Sequence, residues 1–158
     1  NGRHGLFVLV RTSNHGSRDL QQLGSTRSGQ PIYSHVASWV REWSDETRGR
    51  SGYGSVGAVV GGTAREQIVE LRAAMPHAIL LVPGYGAQGA TAPDIAAAFD
   101  DRGLGALVNN SRGILFSAAE KSSGIESAAD SWEANIENAL RRMIEDLAAS
   151  TPAGRLRE

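Results

Sequence analysis

The stretch 80–89, Leu-Leu-Val-Pro-Gly-Tyr-Gly-Ala-Gln-Gly, determines how the rest of the chain is interpreted. It begins as a short apolar run that stops at Pro83 and opens into a loop with three glycines and one amide. Such a run between two helical patterns is typical of a parallel strand buried on both faces. Its loop then lies at the carboxyl end of the strand, where α/β folds bind ligands. The glycines let backbone N–H groups approach an anion, and Gln88 adds a donor, but a glycine-rich turn without a ligand fits this segment equally well.

Segments with the same character occur on both sides of this stretch. Apolar runs predict strands at residues 5–10, 56–60, 78–82 and 104–108, and helical spacing predicts helices at 19–23, 32–43, 64–74, 92–101 and 127–149. Thr63 is the expected N-cap of the helix at 64–74, with Glu66 completing a capping box, and Thr91 is the expected cap of the helix at 92–101.

The order of these elements is a strand, a loop and a helix, repeated four times. Strict alternation predicts a parallel sheet with right-handed crossovers and helices outside it. Four such units fit either half of an eight-stranded barrel or a small open sheet. The glycines at the strand exits favour the (β/α)8 TIM barrel, in which functional loops gather at the carboxyl face. The loops of interest are therefore 12–16, 61–63, 83–89 and 109–113.

The last of these loops carries a positive charge. Arg112 follows the fourth predicted strand, with Gly113 behind it. A guanidinium presents a planar fork of donors that suits a phosphate dianion, and the backbone N–H groups of Ser111 and Arg112 lie beside it. Barrels commonly hold phosphate in the loops after their last two strands, which here contain Gln88 and Arg112. The alternative is a surface arginine paired with a nearby carboxylate.

Composition limits the classes of function. The chain has 158 residues, 41% hydrophobic, and a formal net charge of -1, which predicts one soluble globular unit and argues against a nucleic-acid binder. It contains no cysteine, so it has no disulfide framework and no thiolate metal site. Its four histidines lack metal-ligand spacing, and no apolar run reaches the roughly 18 residues of a membrane span. We therefore expect no metal and no membrane association.

Four segments together resemble a known family. GLFVLVRTSN at 5–14, VGAVVGGT at 56–63, LLVPGYGAQG at 80–89 and ALVNNSRGIL at 106–115 are similar to the C-terminal half of orotidine 5'-phosphate decarboxylases of the longer, mycobacterial-type bacterial subfamily. Each motif alone is weak, but PGYGAQG and NSRGI at this separation after a TSN strand exit are a specific combination. The resemblance implies that residues 1–158 are the last four β/α units of one barrel domain, with the N-terminal half missing; the chain starts at Asn1 rather than at a methionine.

The resemblance assigns roles to individual residues. It places the phosphate-gripping glutamine on Gln88 and the phosphate-binding arginine on Arg112, assisted by the backbone of Ser111. It places the serine that contacts the pyrimidine on Ser13, and it has Pro83 and Tyr85 line the base pocket. Two positions differ from the family pattern: His15 stands where proline is usual, and Ala90 replaces the second glycine of the common QGG sequence.

The catalytic group of the family has no counterpart in this sequence. The family uses a lysine flanked by aspartates on earlier strands, and an aspartate from the neighbouring subunit. The one lysine here, Lys121, lies in an AEKSSG stretch after the last predicted strand and fits a solvated loop. The resemblance thus implies a fragment that binds phosphate and pyrimidine but is inactive alone, and a half-barrel with exposed edges that aggregates, dimerises or stays partly disordered.

The same resemblance implies the properties of the whole enzyme. It would be a cytoplasmic homodimer without metal or organic cofactor that converts orotidine 5'-phosphate to uridine 5'-phosphate and CO2. Two alternatives remain at this point. One is another phosphate-binding barrel enzyme of the epimerase or hexulose-phosphate synthase type, and the other is a non-catalytic half-barrel that binds a nucleotide or a partner protein.

Overall fold

Four parallel strands form the centre of the molecule in a computed structural model that describes residues 4–14, 16–117 and 131–157. The strands are β1 (Leu6–Arg11), β2 (Val56–Val60), β3 (Leu80–Pro83) and β4 (Ala106–Asn109). Their order in the sheet is the same as their order in the chain, and each neighbouring pair is parallel. This order confirms the predicted β/α alternation, since a parallel neighbour can be reached only through a crossover connection.

Within the described residues, six α-helices accompany these strands. They are α1 (Ser17–Gln21), α2 (Ile32–Glu46), α3 (Arg65–Ala74), α4 (Ala92–Ile95), α5 (Ser111–Leu115) and α6 (Trp132–Ser150), and short 3-10 turns follow α4 and α6 at Ala96–Ala98 and Pro152–Arg157. The core lies between the helices and one face of the sheet, where Val10, Val60, Leu80 and Val82 are buried against residues such as Ile68 of α3. Alternate residues of a strand point to opposite faces, so these strand residues define the helix-covered face.

Several predicted helix boundaries differ from the structure. α1 spans Ser17–Gln21 rather than 19–23, and α2 continues to Glu46 rather than ending at 43. The N-cap of α3 is Ala64 rather than Thr63, and no side chain caps the helix. The Ala64 N–H donates to the carbonyl of Gly61 at 3.0 Å, so Thr63 lies within a turn and cannot occupy the cap position. The predicted helix at 92–101 is only one α-helical turn followed by a 3-10 turn. Its predicted start is confirmed, because Asp94 accepts hydrogen bonds from the N–H and hydroxyl of Thr91 at 2.9 and 2.6 Å.

The other face of the sheet lacks a helical cover among the described residues. Strand register aligns Leu9, Val59, Leu81 and Leu107 in one row across the four strands. The two outer members, Leu9 and Leu107, are 59% and 52% exposed. An apolar row across a parallel sheet is normally buried, because parallel sheets are covered on both faces. This row is the open face, and it corresponds to the interior of a barrel.

Arg72 of α3 ties together several segments at the amino end of the sheet. One terminal nitrogen of its guanidinium donates to the carbonyls of Gly105 at 3.1 Å and Ala98 at 3.4 Å. The other donates to the carbonyl of Ala78 at 2.8 Å and to that of Met75. These carbonyls precede β3 and β4 or follow α3 and α4, and two of them also accept a backbone N–H: Gly105 from Leu80 at 2.9 Å and Met75 from Ala78 at 3.2 Å. One side chain thus links four segment ends and adds to their backbone hydrogen bonds.

A carboxylate stabilises the neighbouring turn. Burial of Asp100 favours its neutral form, but hydrogen bonds from the Tyr53 hydroxyl at 2.6 Å, the Leu104 N–H at 2.9 Å and the Arg102 guanidinium outweigh burial. The net effect lowers the pKa of Asp100 to about 2 from its ordinary value of 3.8. The ionised form therefore contributes to the stability of the fold.

We expect the stabilisation by Asp100 to disappear in acid. A carboxyl whose pKa is lowered by folding stabilises the native state above its unfolded pKa of 3.8, and this contribution is lost as the pH falls towards about 2. Above pH 5 the Asp100→Asn variant should be less stable than the wild type by about 1–2 kcal/mol. Urea unfolding at several pH values between 2 and 6 measures this difference, and a difference that stays constant over the range would contradict the prediction.

None of the helices in the described ranges is both long enough and apolar enough to cross a membrane.

Candidate functional site

The exits of the first three strands are joined by backbone hydrogen bonds. The Gly61 N–H donates to the Arg11 carbonyl at 2.7 Å, and the Gly62 N–H donates to the Pro83 carbonyl, also at 2.7 Å. Position 61 has no room for a residue other than glycine, because a Cβ there would lie 2.8 Å from the backbone nitrogen of Ser13. The carboxyl ends of the strands thus form one edge, as the sequence predicted, and the loops at that edge are held at fixed spacing.

The loop after β3 folds back on itself. The Gly86 N–H donates to the Ala90 carbonyl at 2.8 Å, and the Gly89 N–H donates to the Gly86 carbonyl at 2.8 Å. Gly84 has a φ of +102°, a region that residues with a Cβ rarely adopt. A Cβ on Gly84 would lie 3.0 Å from the Gln88 Oε1 atom. Glycine at this position therefore allows the Gln88 side chain to return over the start of its own loop.

Replacing Gly84 with alanine is expected to destabilise the chain by about 2 kcal/mol, because backbone strain adds to the displacement of Gln88. Gly89→Ala is the matched control: its φ is +92°, but nothing lies within 4 Å of the added Cβ. The control should lose only the strain of about 1 kcal/mol. Thermal unfolding of both variants separates the two contributions, and equal losses would show that contact with Gln88 has no energetic effect.

The exit of β4 is a short helix rather than the predicted loop at 109–113. Asn110 is its N-cap, and the Asn110 Oδ1 atom accepts a hydrogen bond from the Gly113 N–H at 3.2 Å. Asparagine is among the best N-cap residues, so this helix start was readable from the sequence. Ser111 and Arg112 form its first turn, where N–H groups have no acceptor within the helix. Both of these residues are exposed.

Arg112 has no carboxylate partner in the parts of the chain that the structure describes, where the ion pairs join other residues. The alternative of an arginine paired at the surface therefore has no support among those residues. The guanidinium remains able to bind an anion.

A pocket of about 140 Å³ brings the β3 and β4 exits together. Its lining contains five of the six predicted site residues, namely Pro83, Tyr85, Gln88, Ser111 and Arg112. The sixth, Ser13, is connected to them because its hydroxyl donates to the Gln88 Oε1 atom at 2.5 Å. An amide, a guanidinium and two helix-terminal N–H groups around one small pocket can bind a compact anion.

A larger pocket of about 690 Å³ borders Gln88 on the side of β1 and β2. Thr12, Ser13 and Asn14 line it at the β1 exit, and Thr63 lines it at the β2 exit. Gln88 thus lines both pockets, and Ser13 lines the larger one, whose volume is within the range of small-molecule sites.

Arg11 is a residue of this region that the sequence analysis missed. Its side chain is 6% exposed and donates to the Thr12 carbonyl at 2.7 Å, the Ser17 hydroxyl at 2.5 Å and the Gln21 Oε1 atom at 3.2 Å. Burial lowers the pKa of Arg11, although a guanidinium stays charged. These bonds hold the turn that carries Ser13. The available signal was a charged residue directly at the end of an apolar strand.

Tyr85 is mostly buried and contacts α6, in addition to lining the small pocket. Its ring is 9% exposed, and its hydroxyl donates to the Asp146 Oδ2 atom of α6 at 2.5 Å. Burial and this hydrogen bond raise the pKa of Tyr85 well above its ordinary value. Asp146 was not singled out from the sequence, because nothing local indicates a contact across 61 residues.

Two residues discussed from the sequence, His15 and Lys121, lie outside the described residues. Among the described residues, no group of three or more histidine, aspartate or glutamate side chains is arranged to hold a metal ion.

Comparison with known proteins identifies similar sequences. The model of the orotidine 5'-phosphate decarboxylase / HUMPS family matches residues 1–126. An orotidine 5'-phosphate decarboxylase of Rhodopirellula baltica is 48% identical over 143 residues, covering 90% of this chain and 47% of that protein. The enzyme of the same name from Clostridium kluyveri is 43% identical over 126 residues, covering 80% of this chain and 43% of that protein. The chain therefore spans about half the length of the curated relatives that it matches.

Solved structures are similar as well. A putative orotidine-monophosphate decarboxylase of Toxoplasma gondii superposes with a TM-score of 0.69 at 30% identity, covering 98% of this chain and 52% of that one. The orotidine monophosphate decarboxylase of Leishmania donovani superposes with a TM-score of 0.68 at 28% identity, covering 94% and 49%. The α/β fold of this chain is part of a TIM barrel of that kind.

Proposed function

Because this chain belongs to the orotidine 5'-phosphate decarboxylase / HUMPS family, we propose that it is the phosphate-binding half of an orotidine 5'-phosphate decarboxylase. The observation that carries this proposal is the small pocket at the exits of two neighbouring strands, which Gln88 and Arg112 both line. That arrangement supports a phosphate site between the last two strands of a barrel.

In this proposal, the 5'-phosphate occupies the pocket of about 140 Å³. Arg112 supplies charge and a planar fork of donors, and the N–H groups of Ser111 and Arg112 add shorter-range hydrogen bonds. Gln88 donates through its amide nitrogen, since its Oε1 atom already accepts from Ser13. The hydrogen bond between Ser13 and Gln88 holds the amide in the orientation that this requires.

The pyrimidine would lie on the other side of Gln88. Ser13 projects there from the β1 exit, and its hydroxyl both donates and accepts, which suits the amide edge of the ring. Pro83 and Tyr85 line the pocket of about 140 Å³ and not the larger one, so in this proposal they border the phosphate end of the nucleotide rather than the pyrimidine. A nucleotide that bridges the two pockets would therefore be held at both ends by residues of this chain.

The chemical step needs residues that this chain does not supply. Decarboxylation breaks the bond between the pyrimidine carbon and the carboxylate, and the electron pair left on carbon must be stabilised and then protonated. The family resemblance assigns that work to an Asp-Lys-Asp network on earlier strands and an aspartate of a second subunit. Binding energy from the remote phosphate would help to order that site. We therefore propose that the 158 residues alone are inactive.

The open face of the sheet supports a missing barrel half. Leu9 and Leu107 are the exposed ends of an apolar row that further strands would cover. We propose that residues 1–158 form one barrel domain with four more β/α units, in a cytoplasmic homodimer without metal or organic cofactor. The proposed ligands are orotidine 5'-phosphate and uridine 5'-phosphate, not nucleic acid.

Hydrogen–deuterium exchange with and without uridine 5'-phosphate tests the proposed binding site, and it works on a monomer or a dimer. We expect the nucleotide to slow exchange in residues 84–90 and 110–113, and we expect uridine, which lacks the phosphate, to have at least tenfold weaker effect at equal concentration. Equal protection by both compounds, or protection by neither, would refute a phosphate site in this pocket.

The epimerase or hexulose-phosphate synthase alternative is less favoured, because the similar curated proteins named above are orotidine 5'-phosphate decarboxylases. A non-catalytic nucleotide-binding half-barrel would give the same exchange result. It is separated from the decarboxylase by a measurement of turnover.

A further inference from the structure

The glycine-rich loop after β3 is connected to the last long helix by one hydrogen bond. The hydroxyl of Tyr85 donates to the Asp146 Oδ2 atom at 2.5 Å, and the partners are 61 residues apart in the chain. The Tyr85 ring is buried in the same core cluster as Met143, which lies one helical turn before Asp146. The side chain thus crosses from the strand exits to α6.

This contact adds a side-chain restraint to a loop whose backbone hydrogen bonds are otherwise made within residues 84–90. Tyr85 lies between Gly84 and Gly86, whose φ angles are +102° and +69°. Glycines lose more conformational entropy on ordering than other residues, so a loop rich in them needs fixed contacts to hold one geometry. Among residues 84–89, Tyr85 is the one with a large side chain, and Gln88 follows three positions later.

The ionisation states of Tyr85 and Asp146 favour a stable hydrogen bond between them. Burial raises the pKa of Tyr85, as does the hydrogen bond to Asp146, so the phenol stays a donor through the physiological range. A carboxylate that accepts from a phenol forms a short, charge-assisted hydrogen bond. Asp146 itself is exposed along the rest of its side chain, so the bond does not require a buried charge.

We propose that Asp146 is a positioning residue for the phosphate site, acting on Gln88 through Tyr85. This inference rests on the proposed function. If the loop of residues 84–89 binds phosphate, then α6 fixes the position of that loop through Asp146. Asp146 itself lies outside the pocket of about 140 Å³ that contains Gln88 and Arg112.

Exchange measurements on the full 158-residue chain test this inference. Tyr85→Phe removes the donor, and Asp146→Leu, which has a side chain of similar shape, removes the acceptor, so each variant lacks the hydrogen bond. We expect each variant to speed ligand-free exchange of residues 84–90 about tenfold, and to raise the uridine 5'-phosphate concentration for half-maximal protection of that segment about tenfold. The double variant should be no worse than either single one, because both remove the same interaction. Exchange of residues 80–83 should stay unchanged, which a general loss of stability would not allow.

Glu145→Gln is the matched control, because it removes the same charge from the adjacent residue of α6. It should leave both quantities unchanged. Unchanged exchange in the variants, or faster exchange with unchanged nucleotide affinity, would overturn the positioning role while leaving the proposed function intact. If uridine 5'-phosphate protects no segment of the wild-type chain, the proposed function fails and the inference fails with it.

Discussion

Replacing Arg112 with alanine is expected to lower kcat/KM for orotidine 5'-phosphate by about 100- to 1,000-fold, which corresponds to about 3–4 kcal/mol. The measurement needs a complete barrel. A suitable host is the Rhodopirellula baltica relative with its aligned segment of 143 residues replaced by this chain, called here the grafted enzyme. The loss is large because the guanidinium has no carboxylate partner in the described part of the chain and supplies the one full positive charge in the small pocket.

Two further variants make this result specific. Arg112→Lys keeps the charge but not the planar fork, so it should recover only part of the lost activity. Arg50→Ala removes an exposed arginine from the loop before β2, at the opposite edge of the sheet, and should change kcat/KM less than twofold. Comparable losses for Arg50→Ala and Arg112→Ala would mean that net charge, rather than a phosphate site, is responsible.

Replacing Arg72 with methionine is expected to lower the free energy of unfolding by about 3 kcal/mol. Methionine preserves most of the apolar stem, so the decrease in the free energy of unfolding measures the contribution of the guanidinium. Its hydrogen bonds to the carbonyls of Ala78 at 2.8 Å and Gly105 at 3.1 Å would be broken. The Gly105 carbonyl would keep only the hydrogen bond from the Leu80 N–H at 2.9 Å, and the Ala78 carbonyl would lose the guanidinium donor. Urea unfolding monitored by circular dichroism measures the change.

Arg65→Met is the control on the same helix. Arg65 is exposed, and its ion pair with Asp94 has a nitrogen–oxygen distance of 3.6 Å. Exposed pairs contribute little, so this variant should lose no more than about 0.5 kcal/mol. If Arg72→Met costs as little as Arg65→Met, the carbonyls at the amino end of the sheet are satisfied in another way.

The strands could be predicted from the sequence because apolar runs and turn residues define them locally. Pro83 and the glycines after it mark the end of β3, and β2 was predicted with its observed limits at Val56–Val60. The topology followed from the alternation of strands and helices. Where a local signal was ambiguous, the prediction failed: Thr63 resembles an N-cap but lies in a turn, and the cap signal of Asn110 was passed over.

The candidate site was predictable to the extent that parallel topology brings strand exits together. Gln88 and Arg112 lie on neighbouring exits, and the structure places both in one pocket. Contacts that depend on packing could not be predicted in the same way. Tyr85 reaches Asp146 across 61 residues, and the hydrogen bonds of Arg11 depend on where α1 is placed against β1. Neither follows from spacing or composition.

The most direct test of the central claim is the rate at which the grafted enzyme decarboxylates orotidine 5'-phosphate. In that protein the host supplies the strands before the graft, and this chain supplies Ser13, Gln88, Ser111 and Arg112. We expect turnover within about tenfold of the unmodified host, consistent with a graft that preserves every phosphate contact. A grafted enzyme that folds and dimerises like the host but neither binds uridine 5'-phosphate nor releases CO2 would contradict the claim that this chain is the phosphate-binding half of such a decarboxylase.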